Sequence, residues 1–306
     1  MNVTPPPFVA ITGATGLIGS ALVSRLRGSG MRVRRLVRRA RPDVLDDIVW
    51  DPMRGMLVPQ DLEGADAVIH LAGEPLAHRW TDARKRAIRE SRVRGTELIA
   101  RTIAALDRKP RVLLSGSAVG CYGDRGDEVL DEESAPGTDF LADVAREWEA
   151  ATVAAADAGV RVVLLRTGIV LNPNGGALGR LLPPFRLGVG GPIGSGRQWM
   201  SWISLDDHLR AMEYAIASAE LHGPANLVAP HPVTNAEFAT TLGRVLARPA
   251  IVPVPSFALE LVYGEMARAT ILAGQRALPK ALLRAGFEFA HPTLEQALRF
   301  ELQATS

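Results

Sequence analysis

Residues 8–20 read FVAITGATGLIGS, and this stretch leaves the chain few ways to fold. The apolar run Phe8 to Ile11 is that of a buried strand, and it breaks at Gly13. Glycines recur at Gly16 and Gly19, while Leu17, Ile18, Ala21, Leu22 and Leu26 carry helical spacing. Strand, glycine turn and helix in that order suit a pyrophosphate lying on a helix N-terminus. Gly13 allows the tight turn, Gly16 a close backbone approach to phosphate, and Gly19 close packing of helix on sheet. Gly13, Thr15, Gly16, Leu17 and Ile18 are then the expected diphosphate contacts. The alternative is the same spacing in a tight βα turn that binds nothing.

The helix ends near Gly28 and Gly30, and a second strand, Val33 to Val37, runs into Arg38 and Arg39. In a dinucleotide fold an acidic residue here bonds the ribose 2′-hydroxyl, whereas an arginine accommodates a 2′-phosphate. No Asp or Glu follows until Asp43. The planar guanidinium suits a phosphate through paired hydrogen bonds, so NADP is expected over NAD. A solvated basic strand end is the competing reading.

Further strands are expected at Ile48 to Trp50, at Ala67 to Gly73, at Arg111 to Ser115 and at Val160 to Arg166. The second of these, AVIHLAG, ends in small residues that let a cofactor's diphosphate and nicotinamide ribose approach the backbone. Its His70 reads as a core histidine. Long helices are expected over Thr81 to Leu106 and Phe140 to Ala156. Strands separated by helices predict an α/β chain with a doubly wound parallel sheet of the Rossmann type. Ligands in such sheets lie at the carboxyl ends of the strands, here Gly13, Arg38, Ala72, Ser117 and Thr167, converging on one crevice. The expected division is a Rossmann domain over 8–171, then a glycine-rich loop over 172–197 whose segment returns to the core by residue 229. A small mixed substrate-side lobe follows over 230–302. The loop holds eight glycines and four prolines and lacks the G-K-[ST] ending of a P-loop.

Bulk properties remove other classes. A formal net charge of +2, from 35 basic and 33 acidic residues, is too balanced to argue for nucleic acid. Only three of the basic residues are lysines: Lys85, Lys109 and Lys280. The single cysteine, Cys121, rules out an intrachain disulfide framework and fits a reducing compartment. No apolar stretch approaches the ~18 residues of a membrane span. The N-terminal Pro5-Pro6-Pro7 does not resemble a secretory signal. A cytoplasmic protein is expected, with no membrane or nucleic-acid partner and no metal, since the six histidines lack ligand spacing. A homodimer is compatible with this reading.

TGATGLIG, the HLAG strand end, SGSAVGCYGD and SWISLDDHLRA resemble the extended short-chain dehydrogenase/reductase superfamily. HLAGEPLAHRWTDARKRAIRESRVRGT, PFRLGVGGPIGSGRQWMSWI and NLVAPHPVTNAEFATTLGRVLARP are similar to one subgroup of it. Its members are NAD(P)-dependent epimerase-family proteins with a short C-terminal domain of unknown function, sometimes labelled cell-division inhibitors. The resemblance covers roughly residues 8–302. It implies an NADP(H) site with Arg38, helped by Arg39, near the 2′-phosphate, and with Leu71, Ala72, Gly73, Arg92 and Val170 lining the cofactor.

One departure limits what the resemblance carries. Superfamily chemistry uses Ser, Tyr and a Lys four residues after the Tyr. Ser117 fits the serine position, but FLADVAREWE, where the pair should open a helix, holds neither Tyr nor Lys. Tyr122, Tyr214 and Tyr263 are followed four residues later by Gly126, Ser218 and Ala267. A proton donor tuned near operating pH must come from elsewhere. Tyr122 is the first candidate, with packing as its alternative; Asp139, Asp143 and Glu74 follow, and Cys121 reads as inert. Two functions stay open: an NADP-dependent reductase or epimerase for a small polar substrate, sugar- or nucleotide-linked compounds included, or an NADP(H)-binding regulator without turnover.

Overall fold

The computed structural model describes residues 8–39 and 46–303. The prolines at 5–7 and Asp43 lie outside these residues. Eight strands form the central sheet: Phe8–Thr12 (β1), Arg32–Val37 (β2), Asp47–Asp51 (β3), Met56–Leu57 (β4), Ala65–His70 (β5), Val112–Ala118 (β6), Arg161–Thr167 (β7) and Gly223–Leu227 (β8). Their order is β8-β7-β6-β5-β1-β2-β3-β4. All neighbours pair in parallel except β3 and β4. The chain leaves β1 toward β2 and later returns to β5 on the opposite side of β1. That reversal opens a crevice at the carboxyl ends of β1 and β5, where open α/β sheets bind ligands.

Burial on both faces explains the strand sequences. All five residues of β1 are buried. On one face Leu17–Gly28 (α1) and Leu205–Ala217 (α6) pack Leu22, Leu26, Leu209 and Met212 on Ile11, Ile69 and Leu114. On the other, Asp82–Ala104 (α2) and the short Val153–Asp157 pack Ile99, Ile103 and Ala155 on Ala10, Val68 and Leu113. The expected helix over Phe140 to Ala156 is two pieces, Phe140–Ala150 (α3) and Val153–Asp157. In β2 only Val33 and Leu36 are fully buried. Arg35 makes two hydrogen bonds to the Asp47 carboxylate on β3, at 2.8 and 2.9 Å, and Arg34 lies over the Phe8 ring.

Two elements depart from the sequence reading. The glycine-rich stretch is not loop throughout, because Gly176–Arg186 (α5) is helical. Despite Gly179 within it, Leu178, Leu182 and Phe185 repeat at helical spacing and are buried. The edge strand β8 begins Gly-Pro, a signature that reads as a turn; an edge position tolerates the proline. Beyond the sheet, α5, Asn235–Leu246 (α7) and Leu294–Gln303 (α10) enclose a further core around Trp202, Phe238 and Leu298. Short strands join this region to the rest: Trp202–Ser204 beside Ile169–Leu171, and Arg276–Ala277 beside Val129–Leu130.

Candidate nucleotide-binding crevice

Gly13 has φ of +67°, and a Cβ there would sit 2.8 Å from the Leu71 carbonyl carbon and 2.9 Å from the Ala72 nitrogen. Only glycine lets the end of β1 turn while touching the end of β5. Gly19 is equally confined: its Cβ would lie 2.2 Å from the Gly13 oxygen. The first and third glycines thus hold the turn against strand and helix. Gly16 is the N-cap of α1, and its N–H closes the turn on the Gly13 carbonyl at 2.9 Å. No side chain caps α1, and its first turn holds no acidic residue. The N–H groups of Leu17 and Ile18 therefore keep their positive end for an anion. Thr15 and Gly16 are exposed; Leu17 and Ile18 are half-buried.

A buried latch fixes the other wall. The Thr12 hydroxyl accepts the N–H groups of Leu71 and Ala72, at 3.0 and 3.1 Å, and lies 2.8 Å from His70 Nδ1. With both lone pairs taken, it donates its own proton to Nδ1, so the imidazole proton sits on Nε2. Burial first, and the Arg92 charge second, hold His70 neutral down to about 4. Its edge meets Trp50 and Gly95, which gives it the core role its apolar strand suggested.

Arg92 comes up from α2 beneath the Gly73 backbone, where a Cβ would lie 3.2 Å from its Cζ. It donates to the carbonyls of Glu74 and Ile88 at 3.0 and 3.1 Å, and its guanidinium lies 5.1 Å from the Trp148 ring centre. Burial lowers its pKa to about 10, with the Glu74 charge acting in the opposite direction. Among the described residues no carboxylate forms an ion pair with it. Leu71 and Ala72 are half-buried and Gly73 is exposed. Val170 is buried in the short strand Ile169–Leu171. Arg38 and Arg39 stand exposed just past β2, on the far side of β1 from Arg92.

The Ser117 and Tyr122 hydroxyls are brought together in one buried hydrogen-bond network. The Ser117 hydroxyl donates to Glu149 on α3 at 2.6 Å. Glu149 takes two hydrogen bonds from Arg166 on β7, at 2.8 and 2.9 Å. Arg166 donates to the Tyr122 oxygen, which donates to Asn226 on β8 at 2.7 Å. Tyr122 is fully buried and burial raises its pKa. The sequence expectation of a hydroxyl facing substrate therefore meets two hydroxyls already committed to buried partners. Cys121 is buried, its thiol pushed up to about 12 by desolvation, and so inert as expected. Asp139 caps α3, Asp143 pairs with Arg146, and Glu74 pairs with Arg84. Glu149, Arg166 and Asn226 were not singled out in the sequence. The visible signal was Arg166, a charge following the apolar run Val162 to Leu165. Among the described residues no group of three His, Cys, Asp or Glu could hold a metal ion, and no helix is long and apolar enough to cross a membrane.

Comparison with known proteins shows the family and the fold. Residues 9–228 match the NAD dependent epimerase/dehydratase family, and residues 254–301 match a domain of unknown function, DUF1731. The epimerase family protein Mb2239 of Mycobacterium bovis is 48% identical over 293 residues, 95% of this chain and 96% of its own. The crystal structure of human epimerase family protein SDR39U1 (isoform 2) with NADPH superposes with a TM-score of 0.88 at 34% identity, over 96% of this chain and 99% of that one. A nucleoside-diphosphate sugar epimerase from Corynebacterium glutamicum gives 0.79 at 41% identity, over 97% of this chain and 58% of the other.

Proposed function

The chain belongs to the NAD dependent epimerase/dehydratase family, and from that premise we propose that it binds NADP(H) and offers the nicotinamide to a small polar substrate. The observation that carries this is the uncapped amino end of α1, reached from the Gly13 turn and set against Leu71 and Ala72. When bound, the dinucleotide supplies hydride chemistry. Gly13, Thr15, Gly16, Leu17 and Ile18 hold its diphosphate. Arg38 and Arg39 meet the 2′-phosphate, since a guanidinium fork matches phosphate oxygens. Leu71, Ala72, Gly73, Arg92 and Val170 line the nicotinamide half.

A second reading, an NADP(H)-binding regulator, is favoured by one observation. The two hydroxyls nearest the expected catalytic positions, Ser117 and Tyr122, donate to Glu149 and Asn226. One experiment separates the readings: NADPH and NADH titrations followed by a carbonyl and nucleotide-sugar panel. The oxidoreductase or epimerase reading expects NADPH binding and consumption, or isomerisation, on at least one substrate. Tight binding with no turnover selects the regulator. In Arg38→Ala, NADPH affinity should fall at least tenfold while NADH affinity barely moves; equal losses remove Arg38 from the 2′-phosphate.

A further inference from the structure

We propose that Arg92 biases the crevice toward the reduced cofactor, so that NADPH is held more tightly than NADP+. The inference rests on the cofactor reading above. A dinucleotide whose diphosphate lies on α1 and whose 2′-phosphate reaches β2 must send its other half across β1 to β5 and β6. Arg92 stands on that side, directly under Gly73 at the end of β5. The oxidised nicotinamide ring carries a positive charge; the reduced ring carries none. A guanidinium beside it therefore penalises one redox state and leaves the other alone.

The penalty survives because the Glu74 carboxylate, whose charge opposes burial at Arg92, is itself held by Arg84. Arg92 spends one nitrogen on two backbone carbonyls and lies against an indole, and it has no carboxylate partner among the described residues. Glu74 is engaged by Arg84, and on α3, which packs on α2, Glu149 is engaged by Arg166, Glu147 by Arg89 and Asp143 by Arg146. His70, packed on the same helix, is neutral. In a half-buried site the screening is far weaker than in water, so one unit charge a few ångströms from another changes affinity by tenfold or more.

Comparing the two redox forms isolates this effect. Both carry the same diphosphate and 2′-phosphate, so every contact with those groups cancels in the ratio of dissociation constants. The test is titration of the full chain with NADPH and with NADP+, following tryptophan fluorescence or heat, at fixed pH and ionic strength. In the unmodified protein NADPH should bind at least about tenfold more tightly. Arg92→Met should bring the ratio to within about threefold of unity by strengthening NADP+ binding. Arg92→Lys, which keeps the charge, should restore the preference. Equal constants in the unmodified chain overturn the inference, as does an unchanged ratio in Arg92→Met. Should Arg92→Met fail to fold by thermal melting, the unmodified ratio and its salt dependence decide. A charge effect shrinks as salt screens it, and a ratio indifferent to salt counts against it. Failure of both forms to bind defeats the cofactor reading itself, an outcome distinct from equal binding.

Discussion

At Glu149 and Arg166 a charge pair lies where water scarcely reaches, their side chains 13% and 12% exposed. Two parallel hydrogen bonds, the Ser117 hydroxyl and the Tyr122 hydroxyl together satisfy most of what burial would leave unpaired. Breaking such a pair from one side is far costlier than its net worth, because the survivor stays charged and buried. Glu149→Ala should therefore lower unfolding stability by about 3–5 kcal/mol. Tyr122→Phe, which strands the Asn226 carbonyl, should cost about 1–3 kcal/mol. Both variants should bind NADPH as the unmodified chain does, because the network lies under α3 and not on the α1 turn. Urea unfolding and cofactor titration check both halves, and a Tyr122→Phe protein with native stability but impaired turnover would return that hydroxyl to catalysis. The glycines of the turn were legible in the sequence because their constraint is local. Tyr122 was not, since its partner Asn226 stands 104 residues away.

Among the elements, Ser256–Tyr263 (α8) has no buried residue, although Phe257, Leu261 and Val262 are among its eight. It is fastened by polar contacts: Arg79 donates to the Leu261 carbonyl at 2.8 Å, and Arg268 pairs with Glu260. Phe257→Ser and Leu261→Ser should thus change stability by no more than about 0.5 kcal/mol, as for ordinary surface sites. In α10, by contrast, Leu298 is fully buried against the core around Trp202, and Leu298→Ala should cost about 2–5 kcal/mol. Denaturant midpoints of the three variants test the contrast, and a large loss at Phe257 would mean that α8 is packed in solution. The parallel strands were readable because burial on both faces imposes unbroken apolar runs. Helix α5 was hidden by its glycines and by Pro183 and Pro184, and β8 by Gly223 and Pro224. In both, tertiary position overrode local composition: buried leucines hold α5 in place, and an edge position frees β8 from needing every N–H.

Across the whole molecule, three buried groups tie separate elements together and give stability a pH dependence. His70 joins β5 to β1 and α2; His208 on α6 lies 3.2 Å from the Thr167 hydroxyl at the end of β7. Both stay neutral down to about 4, chiefly through desolvation. Between about 6.5 and about 4 the unfolded chain takes up protons that these two cannot accept when folded, so stability falls as pH falls through that window. Glu301 on α10 opposes them. Its carboxylate accepts the Asp206 N–H at the start of α6, and its pKa is raised to about 7, first by burial and then by Asp206 and Asp207. From about 4.5 to about 7 the folded chain holds the extra proton there, so this group's contribution fades as pH rises. Two histidines outweigh one carboxylate, and the protein should be about 1–2 kcal/mol less stable at pH 5 than at pH 6.5. Glu301→Gln removes the opposing term and should widen that difference to about 3 kcal/mol. Urea unfolding at the two pH values reads both numbers. Equal stability at pH 5 and pH 6.5 in Glu301→Gln, where the opposing carboxylate is gone, would mean that the two imidazoles take up protons without unfolding, and that water reaches the latch holding β1 against β5.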